Sequence, residues 1–294
     1  MGMMARMNTE FDIPTPPGTE AKMDALIEML RAYRSIAIGF SGGVDSTFLA
    51  AVSIRALPPG DVHLIHLNTP LVGSPERASF ERERARFEDV GAHVIEIETD
   101  PLADPVVAAN PTDRCYHCKR LGFGLIMETA RTIGVGAVLE GSNADDVGDH
   151  RPGTRAIREL GARSPLMETG WRKDEEREAL RLWGHEVWNL PAGACLATRI
   201  PCGEAITADK LRTVRACEEH LHDLGFSQVR VRLARGAARV SVDKGELESP
   251  LLGHRVDGGR SLPRGIIAEL ERRGASKVDP IVREYIHGEG NGKS

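Results

Sequence analysis

Ser35-Ile-Ala-Ile-Gly-Phe40 runs straight into Ser41-Gly42-Gly43-Val44-Asp45-Ser46-Thr47, and this stretch decides the fold. Residues 35–40 are a short apolar run, the mark of a buried strand, and Thr47–Leu57 reads as a helix stopped by Pro58-Pro59-Gly60. A Gly-rich turn between a buried strand and a helix is built to hold an anion. The two glycines let the backbone turn tightly and come close to the ligand. The loop amides and the helix N-terminus then point at it, and Ser41, Ser46 and Thr47 add hydroxyl donors. The loop lacks a Gly-Lys-Ser/Thr ending, so it is not the loop that works on a γ-phosphate.

Outward from this turn, strands alternate with helices. Met23–Tyr33 is helical, with Met23, Leu26, Ile27 and Leu30 on one stripe. Val62–Leu67, His93–Ile97 and Ala137–Glu140 read as strands; Pro75–Val90 and Arg120–Ile133 read as helices. Connections of that length suit a parallel sheet with helices on both faces, not hairpins. After about residue 195 the pattern changes. Thr207 caps a helix to Leu224, Gln228–Leu233 and Ala238–Val242 alternate as strands, and Pro263–Arg273 is a further helix. The expected fold is α/β: a parallel sheet domain over 21–194, a small α+β domain over 195–294, and a flexible leader over 1–20.

Composition bounds the rest. The chain has 294 residues, 41% hydrophobic and 28% charged, with a net charge of −5. At roughly 150 residues per domain this is a globular chain of about two domains. The charge gives no reason to expect a nucleic-acid partner. No run approaches the ~20 apolar residues of a membrane span, so no membrane partner is expected. Five cysteines without a signal peptide imply no disulfide framework and a cytoplasmic location.

Those cysteines carry chemistry. Cys115-Tyr-His-Cys118 is a CxxC pair placed just before the helix read at Arg120. Cys195 and Cys202 lie in Ala192-Gly-Ala-Cys-Leu-Ala-Thr-Arg-Ile-Pro-Cys-Gly203, and Cys217 falls near the apolar stripe of its helix as core filler. The CxxC pair is open to three readings: a redox disulfide, a zinc site drawing in Cys195 and Cys202, or an iron–sulfur cluster on Cys115, Cys118 and Cys195. Asp145, Asp146 and Asp149 are candidate Mg²⁺ ligands, or a polar turn. Arg230 and Arg232 share one side of an alternating strand whose Val229, Val231 and Leu233 face the core. They form an anion platform or a solvated face. The charged helix 75–90 reads as a solvated surface.

The phosphate loop resembles the Ser-Gly-Gly-x-Asp-Ser signature of the PP-loop ATP pyrophosphatases. That resemblance implies ATP as substrate, with Ser41, Gly42, Gly43, Asp45, Ser46 and Thr47 around its pyrophosphate. It also implies that Asp45 organises Mg²⁺ or the attack geometry. A longer set is more specific: Asn110-Pro111…Arg114-Cys115-Tyr116…Cys118-Lys119, Glu140-Gly141-Ser142-Asn143…Asp145-Asp146…Asp149, Gly161–Leu166, and Cys195-Leu-Ala-Thr198-Arg199-Ile-Pro201. With the loop it resembles the LarE family of ATP-dependent sulfur transferases, over about residues 23–245.

This resemblance implies adenylation of a carboxylate of pyridinium-3,5-biscarboxylic acid mononucleotide, then its conversion to a thiocarboxylate. One branch of the family spends the sulfur of a single cysteine at the position of Cys195. Another holds a [4Fe-4S] cluster on cysteines matching Cys115, Cys118 and Cys195, and the three cysteines here favour that branch. Arg199, Glu218, Arg230 and Arg232 are placed around the substrate phosphate. A sulfide source and a homo-oligomer, a hexamer, are further implications. Cys202 stands where the family more often has tyrosine, and the C-terminal end lacks the family's usual ending. The rival readings are a PP-loop tRNA thiolase, an amide-forming ligase and a zinc-stabilised nucleotide-binding protein.

Overall fold

The computed structural model describes residues 14–146, 152–191 and 193–286. The first half alternates as the sequence predicts. In chain order it comprises α1 (Glu20–Arg31), β1 (Ile36–Gly39), α2 (Val44–Ala56), β2 (Val62–Asn68), α3 (Ser74–Asp89) and β3 (His93–Glu98). There follow α4 (Pro105–Ala108), α5 (Arg114–Ile133), β4 (Ala137–Leu139), α6 (Pro152–Glu159), α7 (Pro165–Glu168) and α8 (Lys173–Leu182). The four strands pair in parallel in the order β3-β2-β1-β4. Chain order reverses beside β1, and the crevice at such a reversal is where open α/β sheets take ligands. The phosphate loop leaves the carboxyl end of β1 at that point.

β1 is buried on both faces, so Ile36, Ala37 and Ile38 have no solvent side. α2 is buried almost all round, from Val44 to Ser53, because α1 and α8 cover it. Phe48 anchors it, tilted against Trp171 at 4.6 Å and stacked on Trp183 at 5.5 Å. β3, at the edge, alternates toward solvent, and Arg84 of α3 pairs with its Glu96.

The second half holds α9 (Ala208–Asp223), β5 (Val229–Ala234), β6 (Ala237–Val242), β7 (Arg255–Val256), β8 (Gly259–Ser261), α10 (Arg264–Arg272), β9 (Lys277–Val278) and β10 (Ile281–Glu284). Its sheet runs β5-β6-β10-β8-β7, with β9 also on β6. Thr207 caps α9 by accepting from Lys210 N, as its residue type predicts. The second core is built on α9 and this sheet, yet it also takes in Leu71 from the first half, with Leu102 and Cys118 packed against it.

Three expectations are corrected. Helix α5 begins at Arg114, so the CxxC pair lies on the helix and not before it. The expected leader ends sooner than residue 20: α1 starts at Glu20, and the Pro14 carbonyl accepts a bond from Trp183 Nε1 at 2.9 Å. The α-β-β-α reading of the second half omitted β7–β10. Residues 1–13 of the leader, and Asp149 of the candidate Mg²⁺ set, lie outside the described residues. Among the described residues no helix is long and apolar enough to cross a membrane.

Candidate active site

The phosphate loop is held from outside as well as within. Gly42 adopts φ +72°, and a Cβ there would run into the backbone of Phe80. Ser79 Oγ donates to the Gly42 carbonyl at 2.7 Å, fixing the loop to α3. Ser41 Oγ and Ser46 Oγ lie 3.1 Å apart, and Ser46 Oγ donates to the Gly43 carbonyl at 3.2 Å. Thr47 is fully buried and its hydroxyl has no partner among the described residues. Of the hydroxyls read from the sequence, Ser41 and Ser46 are therefore the two at the loop.

Asp45 sits in the first turn of α2, where the helix dipole favours a carboxylate. Its Oδ1 accepts from Asn143 Nδ2 at 3.2 Å and from the ammonium of Lys173. One turn beyond Lys173, Glu176 is fully buried beside Asp45 and Asn143. Burial, and then the neighbouring Asp45 carboxylate, by hydrogen bonding and by its charge, push its pKa up to about 10, so it holds its proton at neutral pH. Lys173 and Glu176 escaped the sequence reading because each is a single polar residue outside any hydrophobic period, and Asn143 entered it only within the longer motif, without a role.

Asp145 is spent locally. It accepts from Lys173 N at 2.9 Å and Arg172 Nε at 3.1 Å, and these bonds hold its pKa below the usual carboxylate range. Asp146 accepts from Asn143 N at 3.2 Å. Both carboxylates thus order the turn that carries Asn143 and the start of α8.

Cys115 and Cys118, three apart on α5, face one side of the helix. Cys118 and Cys195 both pack against the second core. The Cys118 thiol is pushed up to about 11, chiefly by burial and next by Cys195, with Cys115 adding to it and Arg114 opposing. The other two thiols named from the sequence, Cys115 and Cys195, are thus within electrostatic reach of Cys118. Among the described residues, no three His, Cys, Asp or Glu side chains stand close enough to hold one metal ion. Cys217 is fully buried, its Sγ 3.7 Å from the Leu270 carbonyl, as a core residue would be.

Asn110 joins the two cysteine segments. Its backbone is left-handed, φ 56°, and its Nδ2 reaches the carbonyls of Ile200 at 3.2 Å, Pro201 at 2.8 Å and Glu204 at 3.2 Å. Its own carbonyl takes Gly203 N at 2.8 Å, and Cys202 Sγ lies 3.5 Å from it. Its Oδ1 accepts Arg114 Nε at 3.0 Å, at the head of α5.

The arginines divide by role. Arg199 is 3% exposed and meets Glu218 through two bonds, 2.7 and 3.1 Å. Its Nη1 also donates to the Ala194 carbonyl at 3.1 Å, so it shapes the Cys195 segment. Arg230 and Arg232 share a face of β5, as the alternation predicts, and both lie over the Tyr285 ring at 5.2 and 6.0 Å. Burial, and then the nearby Arg199 charge, disfavour the Arg230 cation. An anion placed there relieves both. Tyr285 belongs to the C-terminal stretch whose sequence gave no role.

A parallel α/β sheet with this loop at its point of reversal defines a PP-loop protein, with three thiols and an arginine platform added. No protein-family profile matches the chain. Individual relatives do. An uncharacterized protein of Synechocystis is 35% identical, covering 78% of this chain and 84% of its own. The pyridinium-3,5-bisthiocarboxylic acid mononucleotide synthase of Lactiplantibacillus plantarum is 31% identical, covering 77% and 81%. An uncharacterized protein of Methanocaldococcus jannaschii is 26% identical, covering 71% and 78%. The chain belongs to the family of the Lactiplantibacillus enzyme, the LarE family of sulfurtransferases.

Proposed function

We propose that this enzyme uses ATP to adenylate a carboxylate of pyridinium-3,5-biscarboxylic acid mononucleotide and replaces the activated oxygen with sulfur. The observation that carries the reading is the 31% identity to the Lactiplantibacillus synthase, in a chain that also presents the phosphate loop and the Arg230–Arg232 pair. A substrate carboxylate oxygen attacks the α-phosphorus, pyrophosphate leaves, and the acyl adenylate forms. Sulfide then attacks the carbonyl carbon and AMP leaves with the oxygen.

This chain's residues divide that work. The amides of Gly42 and Gly43, with Ser41 and Ser46, cradle the departing pyrophosphate. Asp45 faces the same loop, where Mg²⁺ accompanies ATP. Arg230 and Arg232 hold the mononucleotide phosphate, and Arg199 with Glu218 fixes the segment that carries Cys195. The donor set fits a [4Fe-4S] cluster on Cys115, Cys118 and Cys195. Thiolates are the protein ligands of such clusters, and Cys115 and Cys195 both act electrostatically on Cys118. When bound, the cluster would carry sulfide on the iron that has no protein ligand.

The test is anaerobic purification with iron, sulfide and product assays. Brown protein with about four irons per chain is expected, with AMP and pyrophosphate as products and several turnovers at unchanged protein mass. Losing any one of Cys115, Cys118 or Cys195 should remove iron and activity together, while Cys202→Ser keeps both. Asp45→Asn should fold and lose AMP formation. Colourless protein with dehydroalanine at Cys195 after one turnover would replace the cluster reading with sacrificial transfer. Release of ADP would overturn the adenylation.

A further inference from the structure

Glu76 lies on the charged helix α3, which the sequence presents as a solvated surface, yet its side chain packs against Gly193 of the Cys195 segment. The chain just before α3 is zipped to the Cys195 segment: Leu196 N donates to the Leu71 carbonyl at 2.9 Å. Two glycines, one on each side of this seam, leave room for the Glu76 side chain. A Cβ on Gly73 would stand 2.5 Å from Glu76 Oε2; a Cβ on Gly193 would stand 2.8 Å from its Cγ and 2.9 Å from its Cδ. Gly193 is two residues ahead of Cys195. The same carboxylate acts on Arg230, favouring its charged form. Glu76 therefore borders the Cys195 segment and lies within electrostatic reach of Arg230.

The substrate class named above is dipolar. Its phosphate and carboxylates are negative, while the ring nitrogen carries a fixed positive charge. The ring bears the carboxylate that reacts, so it has to lie on the Cys195 side when the phosphate is on Arg230 and Arg232. A site of arginines alone attracts any anionic nucleotide, the AMP product included. A carboxylate at the ring position discriminates.

We propose that Glu76 is a substrate-binding residue that meets the cationic pyridinium ring and selects for its charge. This rests on the mononucleotide reading of the Arg230–Arg232 platform. It adds what that reading lacks, a group that tells a charged ring from a neutral one.

Two probes isolate the charge: nicotinic acid mononucleotide, a pyridinium with one ring carboxylate, and its reduced dihydro form, whose ring is neutral. Calorimetric titration of the full-length enzyme should show the cationic form bound about five-fold more tightly, the scale of a half-exposed ion pair. Glu76→Gln should bring the two affinities together with ATP affinity unchanged, and Glu76→Asp should keep a preference for the cation. An unaltered preference in Glu76→Gln overturns the proposal. So does an equal loss for both probes, which would make Glu76 only a counter-charge for Arg230. If the wild-type enzyme binds ATP but neither probe, the mononucleotide reading itself fails and takes this inference with it.

Discussion

At the scale of single residues, the site economises on charge. Asp45 is matched by Lys173, and Glu176 beside them stays protonated. The cost appears in the pH dependence of stability. The unfolded chain ionises Glu176 above the ordinary value of 4.5, while the folded chain keeps the proton up to about 10. Between these values the native state binds more protons, so this group lowers stability as pH rises, by up to about 1.4 kcal/mol per pH unit. Glu176→Gln has nothing to titrate. Its denaturation midpoint should match wild type near pH 4.5 and move progressively above it toward pH 9. A constant offset across that range would show that the carboxyl is ionised in the folded protein.

At the scale of elements, the two loop glycines are not equivalent. Gly42→Ala forces a side chain into the left-handed region and against the Phe80 backbone. A loss of roughly 2 kcal/mol or more is expected, together with weakened ATP binding. Gly43 has ordinary extended geometry, φ −86°, ψ 174°, and its nearest obstacle is Ser41 Oγ at 3.3 Å, so Gly43→Ala should cost far less. Chemical denaturation of both variants checks the contrast.

The same scale explains what the sequence discloses. β1 is legible because burial on both faces leaves an unbroken apolar run, β2 and α2 because most of their residues are apolar and bounded by turn residues, and α9 because Thr207 marks its start. The first turns of α5 are not, since Arg114-Cys-Tyr-His-Cys-Lys119 carries no apolar stripe. β7–β10 are two to four residues each, too short for alternation to register. α8 buries only Glu176, Ala179 and Leu180. The site divides likewise. The loop, the cysteines and the arginine pair announce themselves by spacing, whereas Lys173, Glu176, Asn110 and Tyr285 acquire their roles only from what folding brings beside them.

For the molecule as a whole, many hydrogen bonds between the halves end on backbone groups. Asn110 meets all five residues of the 200–204 segment, Ile206 N donates to the Ala108 carbonyl at 2.8 Å, and Arg215 reaches the carbonyls of Pro70 and Val72 at 2.7 and 3.1 Å. Asn110→Ala should loosen this junction while leaving the parallel sheet intact. In hydrogen exchange, the amides of Gly203 and Ile206 should lose protection, by about 2 kcal/mol in opening free energy, and those of β1 and β2 should keep theirs. Uniform loss of protection would mean that the halves unfold as one unit.

Asn110 is followed by Pro111, and this pairing bears on how the protein ages. An asparagine in a strained turn ordinarily deamidates when the next residue's backbone nitrogen attacks the side-chain carbonyl and closes a succinimide. Proline has no N–H to offer. The amide that ties the CxxC helix to the Cys195 segment is therefore closed to that route. The joint between the head of the CxxC helix and residues 200–204 is spared a chemical clock that runs in many exposed asparagine turns.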